Sequence, residues 1–191
     1  MANNKHRYVN TKFWIDSYVS DLDPSEKLLF IYLITNGHTN ISGVYEIPRK
    51  IIAIETGFDF TMIGKIMDRL EAKIRYIDGF IVIKNFIKHQ ETGSGSVSTG
   101  IVNCLKELDP EFLKNIVSKG YYVLPKYYID TLYRQSPDSQ SYLYLYSYSY
   151  LYEKDKKGNG SNEPEKGDKR VQEVHKAVDN LVIAKTLPLN L

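Results

Sequence analysis

Residues 49–70, RKIIAIETGFDFTMIGKIMDRL, hold the side chains whose types and spacing most invite a chemical reading. The chemistry they suit is recognition. The ammonium of Lys65 and the guanidinium of Arg69 match guanine edges or phosphate oxygens. Thr61 offers a hydroxyl to phosphate, and Phe60 and Asp68 complete the set expected on the exposed side of one helix. Lys50, and Lys73, Arg75, Lys84 and Lys88 around a later hairpin, suit phosphate contacts that position a duplex without reading it. Bond-making chemistry has no comparable set. His6, His38, His89 and His175 are scattered without metal-ligand spacing, and no carboxylate pair stands out as acid and base. His38 is expected in solvent, and His89 on a basic surface where phosphate contact is the alternative. Cys104 has no histidine near it and is expected to pack as a small apolar residue. The chain contains no GxxxxGK[ST] loop, and GSGSVSTG lacks both GxGxxG spacing and a βαβ context. The expectation is a binding protein without enzymatic activity, cofactor or metal.

Such side chains need a scaffold that offers one helix to a partner. Asp23-Pro24-Ser25-Glu26 starts a first helix, with Asp23 as N-cap, Pro24 at the first helical position and Glu26 completing a capping box. KLLFIYLIT then reads as a buried central helix ended by Asn36-Gly37. Gly43 to Ile47 reads as a short strand stopped by Pro48. RKIIAIET is a second helix ended by Gly57, and Asp59 caps a third from Phe60 to about Lys73. In the third, Ile63, Ile66, Met67 and Leu70 recur at helical spacing. KIRYIDGFIVIKNF reads as two strands joined by Asp78-Gly79, a strong hairpin signal. A helix-turn-helix needs a small residue at the helix crossing, a turn residue tolerant of positive φ, and apolar pins on the second helix. Ala53, Gly57, Ile63 and Ile66 supply these. The order predicts an α+β, mainly α, fold: a winged helix-turn-helix domain over residues 1–90, with an ordinary helical hairpin as the plain alternative. Phe13, Trp14 and Tyr18 are expected to pack against it. Gly64 weakens the third helix by about 1 kcal/mol relative to Ala. It serves either close approach of a partner or internal packing.

Charge tempers the nucleic-acid reading. The formal net charge is +2, and residues 1–90 hold twelve Lys or Arg against ten Asp or Glu. Asp59, Asp68 and Glu71 lie on or beside the presumed reading helix. A two-residue hairpin turn makes a short wing. Binding is therefore expected to be modest and salt-sensitive. One cysteine excludes a disulfide framework within the chain, and the reducing cytosol is the expected compartment. The polar start MANNKHRYVN lacks an apolar h-region, and no run is apolar enough for a membrane span.

The phrases DPSEKLLFIYL, NISGVYEIP and IKNFIKHQ, within about eighty residues, resemble the N-terminal domain of phage replisome-organiser proteins, relatives of the DnaD-type primosome proteins. The resemblance implies a winged-helix domain that binds double-stranded origin DNA and helps bring in a helicase loader or another replisome protein. It does not imply an enzyme, and it does not extend past Gln90. The same fold on a promoter would make a transcription regulator. The weak basic excess would instead suit an assembly module without DNA contact.

Beyond Gln90 the expected order is a flexible linker over 91–100, a short helical and aromatic region over 101–134, a low-complexity disordered segment over 135–168 and an amphipathic helix over 169–186. YYVLPKYYIDTLY reads as a strand or a loose cluster. In the last helix Val171, Val174, Val178 and Leu181 form a two-heptad stripe, suited to a partner helix, a second copy of the chain or its own domain. SYLYLYSYSYLY, 141–152, carries a tyrosine at every second position. It reads as a strand, as a single-strand stacking platform, or as a trace of repeated coding DNA, with the peptide expected to be a poorly structured tether.

Overall fold

The computed structural model describes residues 6, 7, 9–90 and 95–156, with side chains through 149. They form two compact units. The first runs through Leu108 and takes in Lys119–Val123; the second comprises Asp109–Ser118 and continues from Leu124.

The first unit begins with a 3-10 turn, Thr11–Ile15, and a short helix α1, Ser17–Ser20, then α2, Pro24–Thr35. The capping box at α2 is complete: Asp23 accepts from the Glu26 N–H at 2.9 Å, and Glu26 accepts from the Asp23 N–H at 3.0 Å. Strand β1, Val44–Glu46, precedes helices α3, Arg49–Thr56, and α4, Phe60–Leu70. Strands β2, Ile74–Ile77, and β3, Phe80–Ile83, close a three-stranded antiparallel sheet in the order β1-β3-β2, with Tyr45 opposite Ile81 and Tyr76 opposite Ile81 on the other side. Asp78 and Gly79 both take positive φ, as a tight hairpin turn requires. Leu29, Leu33, Ile47, Ile52, Ile63, Leu70, Ile74 and Ile81 form the fully buried core. Tyr45 joins it. Its hydroxyl donates to the Leu33 carbonyl at 2.6 Å and accepts from Asn36 at 2.8 Å, and burial pushes its pKa up to about 12.

Phe13 and Tyr18 pack edge-on against Phe30, but Trp14 remains 57% exposed. Helix α4 stops at Leu70, before a turn over 71–73. Helices α5, Phe86–Gln90, and α6, Gly95–Lys106, follow the sheet. The flexible linker is thus corrected over 95–100: these residues begin α6. Ile101, Val102 and Leu105 bury one face of it, and that apolar anchor outweighs the poor helix propensity of Gly and Ser. Residues 91–94 lie outside the described residues. The first unit accordingly does not end at Gln90. Cys104 is half-buried.

The second unit contains α7, Pro110–Ser118, α8, Lys126–Gln135, and α9, Gln140–Lys156. The aromatic stretch is neither strand nor loose cluster: Pro125 stands at the start of α8, and Tyr128, Ile129 and Leu132 are its buried face. The larger correction is α9, a helix across residues expected to be disordered. Tyrosines at every second residue fall 200° apart around a helix. They therefore sort into i,i+4 pairs on two sides, and Tyr144 and Tyr148 stack at 6.2 Å. Tyr142, Leu143, Leu145 and Ser147 are buried, and Tyr133 of α8 stacks on Tyr146 at 4.6 Å. The strand and the tether are both overturned, and Tyr142 and Tyr146 use their rings inside the unit rather than as an open stacking platform. Leucine is a good helix former, and α9 packs against both α7 and α8. Residues 157–168 and the stripe Val171, Val174, Val178 and Leu181 lie outside the described residues. No described helix is long and apolar enough to cross a membrane.

Candidate nucleic-acid interface

The turn that sets α4 against α3 is built from two local devices. Gly57 adopts φ +75° and donates its N–H to the Ala53 carbonyl at 2.9 Å. Asp59 then caps α4, accepting from the Met62 N–H at 2.7 Å. Ile63, Ile66, Met67 and Leu70 bury one side of α4, and Ala53 and Met62 pack against the same core.

The opposite side is open. At 100° per residue Thr61, Lys65 and Arg69 form one ridge, with Phe60, Gly64 and Asp68 beside it. Thr61, Lys65, Asp68 and Arg69 are exposed, and Phe60 is 58% exposed in the first turn. Lys50 is exposed near the start of α3. Among the described residues Lys65 makes no ion pair. A Cβ built on Gly64 meets nothing within 4 Å, so internal packing does not require a glycine there. Gly64→Ala is expected to raise folding stability by about 1 kcal/mol through lost backbone entropy, measured by urea denaturation. A loss of binding by this more stable variant would assign the glycine to close approach of a partner.

Arg69 has a second attachment. Its Nε donates to Glu26 Oε1 at 3.1 Å, and the Glu26 side chain is only 7% exposed. The pair ties α4 to the start of α2. Removing Arg69 leaves a nearly buried carboxylate without its counter-ion; because Arg69 itself is 66% exposed, the expected loss is about 1 kcal/mol. Arg69→Ala should therefore lower the melting temperature by several degrees with no DNA present, and Arg69→Lys should recover part of that loss.

The hairpin cations divide differently. The Lys73 ammonium sits 5.2 Å from the centre of the Tyr18 ring, and Lys88 is exposed on α5. Arg75 pairs with Glu71 at 2.5 Å and lies 4.0 Å over the Tyr121 ring. Lys84 is half-buried beside it. The Lys84 N–H donates to the Lys73 carbonyl at 2.9 Å, and the Lys84 carbonyl accepts from the Val123 N–H at 2.8 Å. Arg75 and Lys84 thus gather with Lys119 and Tyr121 in a pocket that Thr61, Lys65 and Arg69 do not line. Neither Lys119 nor Tyr121 is signalled by any local pattern. They arrive because the Tyr122 hydroxyl, fully buried, donates to the Ser42 carbonyl at 2.6 Å across eighty positions. Arg49, also unsignalled, lies 4.7 Å over the Tyr76 ring.

His38 is exposed, 3.9 Å from Glu55. Among the described residues no cluster of three or more His, Cys, Asp or Glu is placed to hold a metal ion. Comparison with protein-family models, with curated proteins and with solved structures finds no match.

Proposed function

We propose that this chain is a winged-helix DNA-binding protein of the replisome-organiser type. It places the first turns of α4 in the major groove of origin DNA and helps bring in a helicase loader or another replisome protein in a bacterial cytoplasm. It acts by binding alone, without a catalytic step or cofactor. The single observation that carries the reading is the open Thr61–Lys65–Arg69 ridge, with exposed Phe60 where α4 begins. A recognition helix reads DNA with its N-terminal part, which here carries Phe60, Thr61 and Lys65, while Arg69 lies in the last turn. Lysine and arginine suit guanine edges, and Phe60 suits a thymine methyl group. The two-residue wing and the small basic excess of residues 1–90 make a modest, salt-dependent affinity the expected regime.

The assembly-module reading has its own observation: Ile54 and Phe60, 67% and 58% exposed, put apolar surface on α3 and α4. Gel-shift titrations with duplex from the protein's own coding region, an unrelated promoter and a random sequence separate the readings. Preference for the coding-region duplex supports the origin reading, and preference for the promoter supports a transcription regulator. Equal, weak binding of all three duplexes at physiological salt would overturn sequence-specific binding, and no binding to any of them would favour the assembly module.

A further inference from the structure

At the base of the β2–β3 hairpin, Glu71, Ala72, Arg75, Lys84, Lys119 and Tyr121 line a small polar pocket of about 140 Å³. Three of these side chains are cationic and one is anionic, giving the pocket a charge of +2. Glu71 is satisfied by Arg75 at 2.5 Å, and the Arg75 guanidinium lies over the Tyr121 ring, 4.0 Å from its centre. The Lys119 ammonium is 6.0 Å from the centre of the same ring. The backbone is fixed as well: Gly120 takes φ +69°, and the Val123 N–H to Lys84 carbonyl bond pins the strand of chain that carries Lys119 to the hairpin. Ring contacts, an ion pair and main-chain bonds thus hold Arg75 and the chain around Lys119 in place before any ligand arrives.

We propose that this pocket is a binding site for a phosphate dianion. Its volume is far below the roughly 300–1,000 Å³ of pockets that enclose drug-sized ligands, so it admits one small group. A phosphomonoester carries close to two negative charges at neutral pH, which matches the +2 of the pocket better than the single charge of a phosphodiester. Arg75 presents a planar fork, and Lys84 and Lys119 present point charges, the usual division of labour around phosphate. None of Phe60, Thr61 or Lys65 lines the pocket, so the site does not depend on α4 meeting DNA. Free phosphate and the 5′-phosphate of a nucleic-acid strand share this chemistry.

Isothermal titration calorimetry of the full chain with inorganic phosphate, at ionic strength held constant with chloride, tests the site. Saturable one-to-one binding is expected. Lys119→Gln, at an exposed position, should weaken it at least tenfold while the far-ultraviolet spectrum and melting temperature stay as in the native chain. Lys65→Glu should leave it unchanged. A single-stranded oligonucleotide with a 5′-phosphate is then compared with its 5′-hydroxyl form. Tighter binding of the phosphorylated strand identifies strand ends as the source. Equal binding of the two strands, with inorganic phosphate still bound, identifies a free phosphate; both results uphold the site. No heat beyond the chloride control, or native-like affinity in Lys119→Gln, overturns it.

Discussion

Gly43→Ala is expected to destabilise the first unit by about 2–5 kcal/mol. Two independent terms contribute. Gly43 takes φ +77°, where a Cβ costs about 1–2 kcal/mol. That Cβ would also lie 2.4 Å from the Cβ and ring of Phe86, a contact that cannot stand. Relief requires moving Phe86, itself 3% exposed and part of the core, or opening the β1–β3 pairing. Gly43 is held from both sides: its N–H donates to Asn40 Oδ1 at 3.1 Å, and its carbonyl accepts from the Ile83 N–H at 3.0 Å. Repacking a core residue in this way costs about 1–3 kcal/mol. Gly57→Ala is the control. Gly57 has nearly the same φ, +75°, but nothing lies within 4 Å of an added Cβ, so only the backbone strain is expected. Urea denaturation followed by the fluorescence of Trp14, the chain's one tryptophan, reports on this unit. Equal losses for the two variants would show that the approach of Phe86 to β1 is not limiting.

Lys65→Glu should weaken duplex binding by about tenfold or more near 0.1 M salt while leaving stability within about 0.5 kcal/mol. The two effects separate because Lys65 is exposed and, among the described residues, makes no ion pair. This makes Lys65 the sharper probe of the α4 ridge. Arg69 answers for both binding and the Glu26 pair, so its removal mixes the two. Lys65→Ala divides phosphate contact from base reading. A phosphate contact predicts uniform loss over all duplexes and a salt slope reduced by about 1. A guanine contact predicts loss on the preferred duplex alone. If Lys65→Glu binds every duplex as the native chain does, α4 does not meet DNA and the proposed function fails.

The parts of this fold legible in the sequence are those completed within a few residues. The Asp23–Glu26 capping box, the Gly57 turn, the Asp59 cap and the Asp78-Gly79 hairpin each satisfy their hydrogen bonds or φ demands locally. The apolar spacing of Ile63, Ile66, Met67 and Leu70 places one side of α4 inward, and the candidate residues Phe60, Thr61 and Lys65 follow on the open side. Local composition misleads where burial decides. GSGSVSTG has the make-up of a linker, yet Ile101, Val102 and Leu105 give the helix it begins a buried face. SYLYLYSYSYLY has the alternation of a strand, yet the helix puts its tyrosines on two sides, where α7 and α8 bury Tyr142, Leu143 and Leu145.

Tertiary structure alone decided the electrostatics of the two candidate sites. Glu26 and Arg69 are forty-three residues apart, and their pairing gives a candidate contact residue a second role as a tie between helices. Residues 119–123 belong with the hairpin because Tyr122 reaches Ser42 and Val123 reaches Lys84. Only that return brings Lys119 and Tyr121 to Arg75 and Lys84. The physical reason is the range of the forces. Caps, turns and helical periodicity act between neighbours in the chain. A charge or an aromatic ring acts on whatever the fold sets a few ångströms away, and no spacing in the chain encodes that distance.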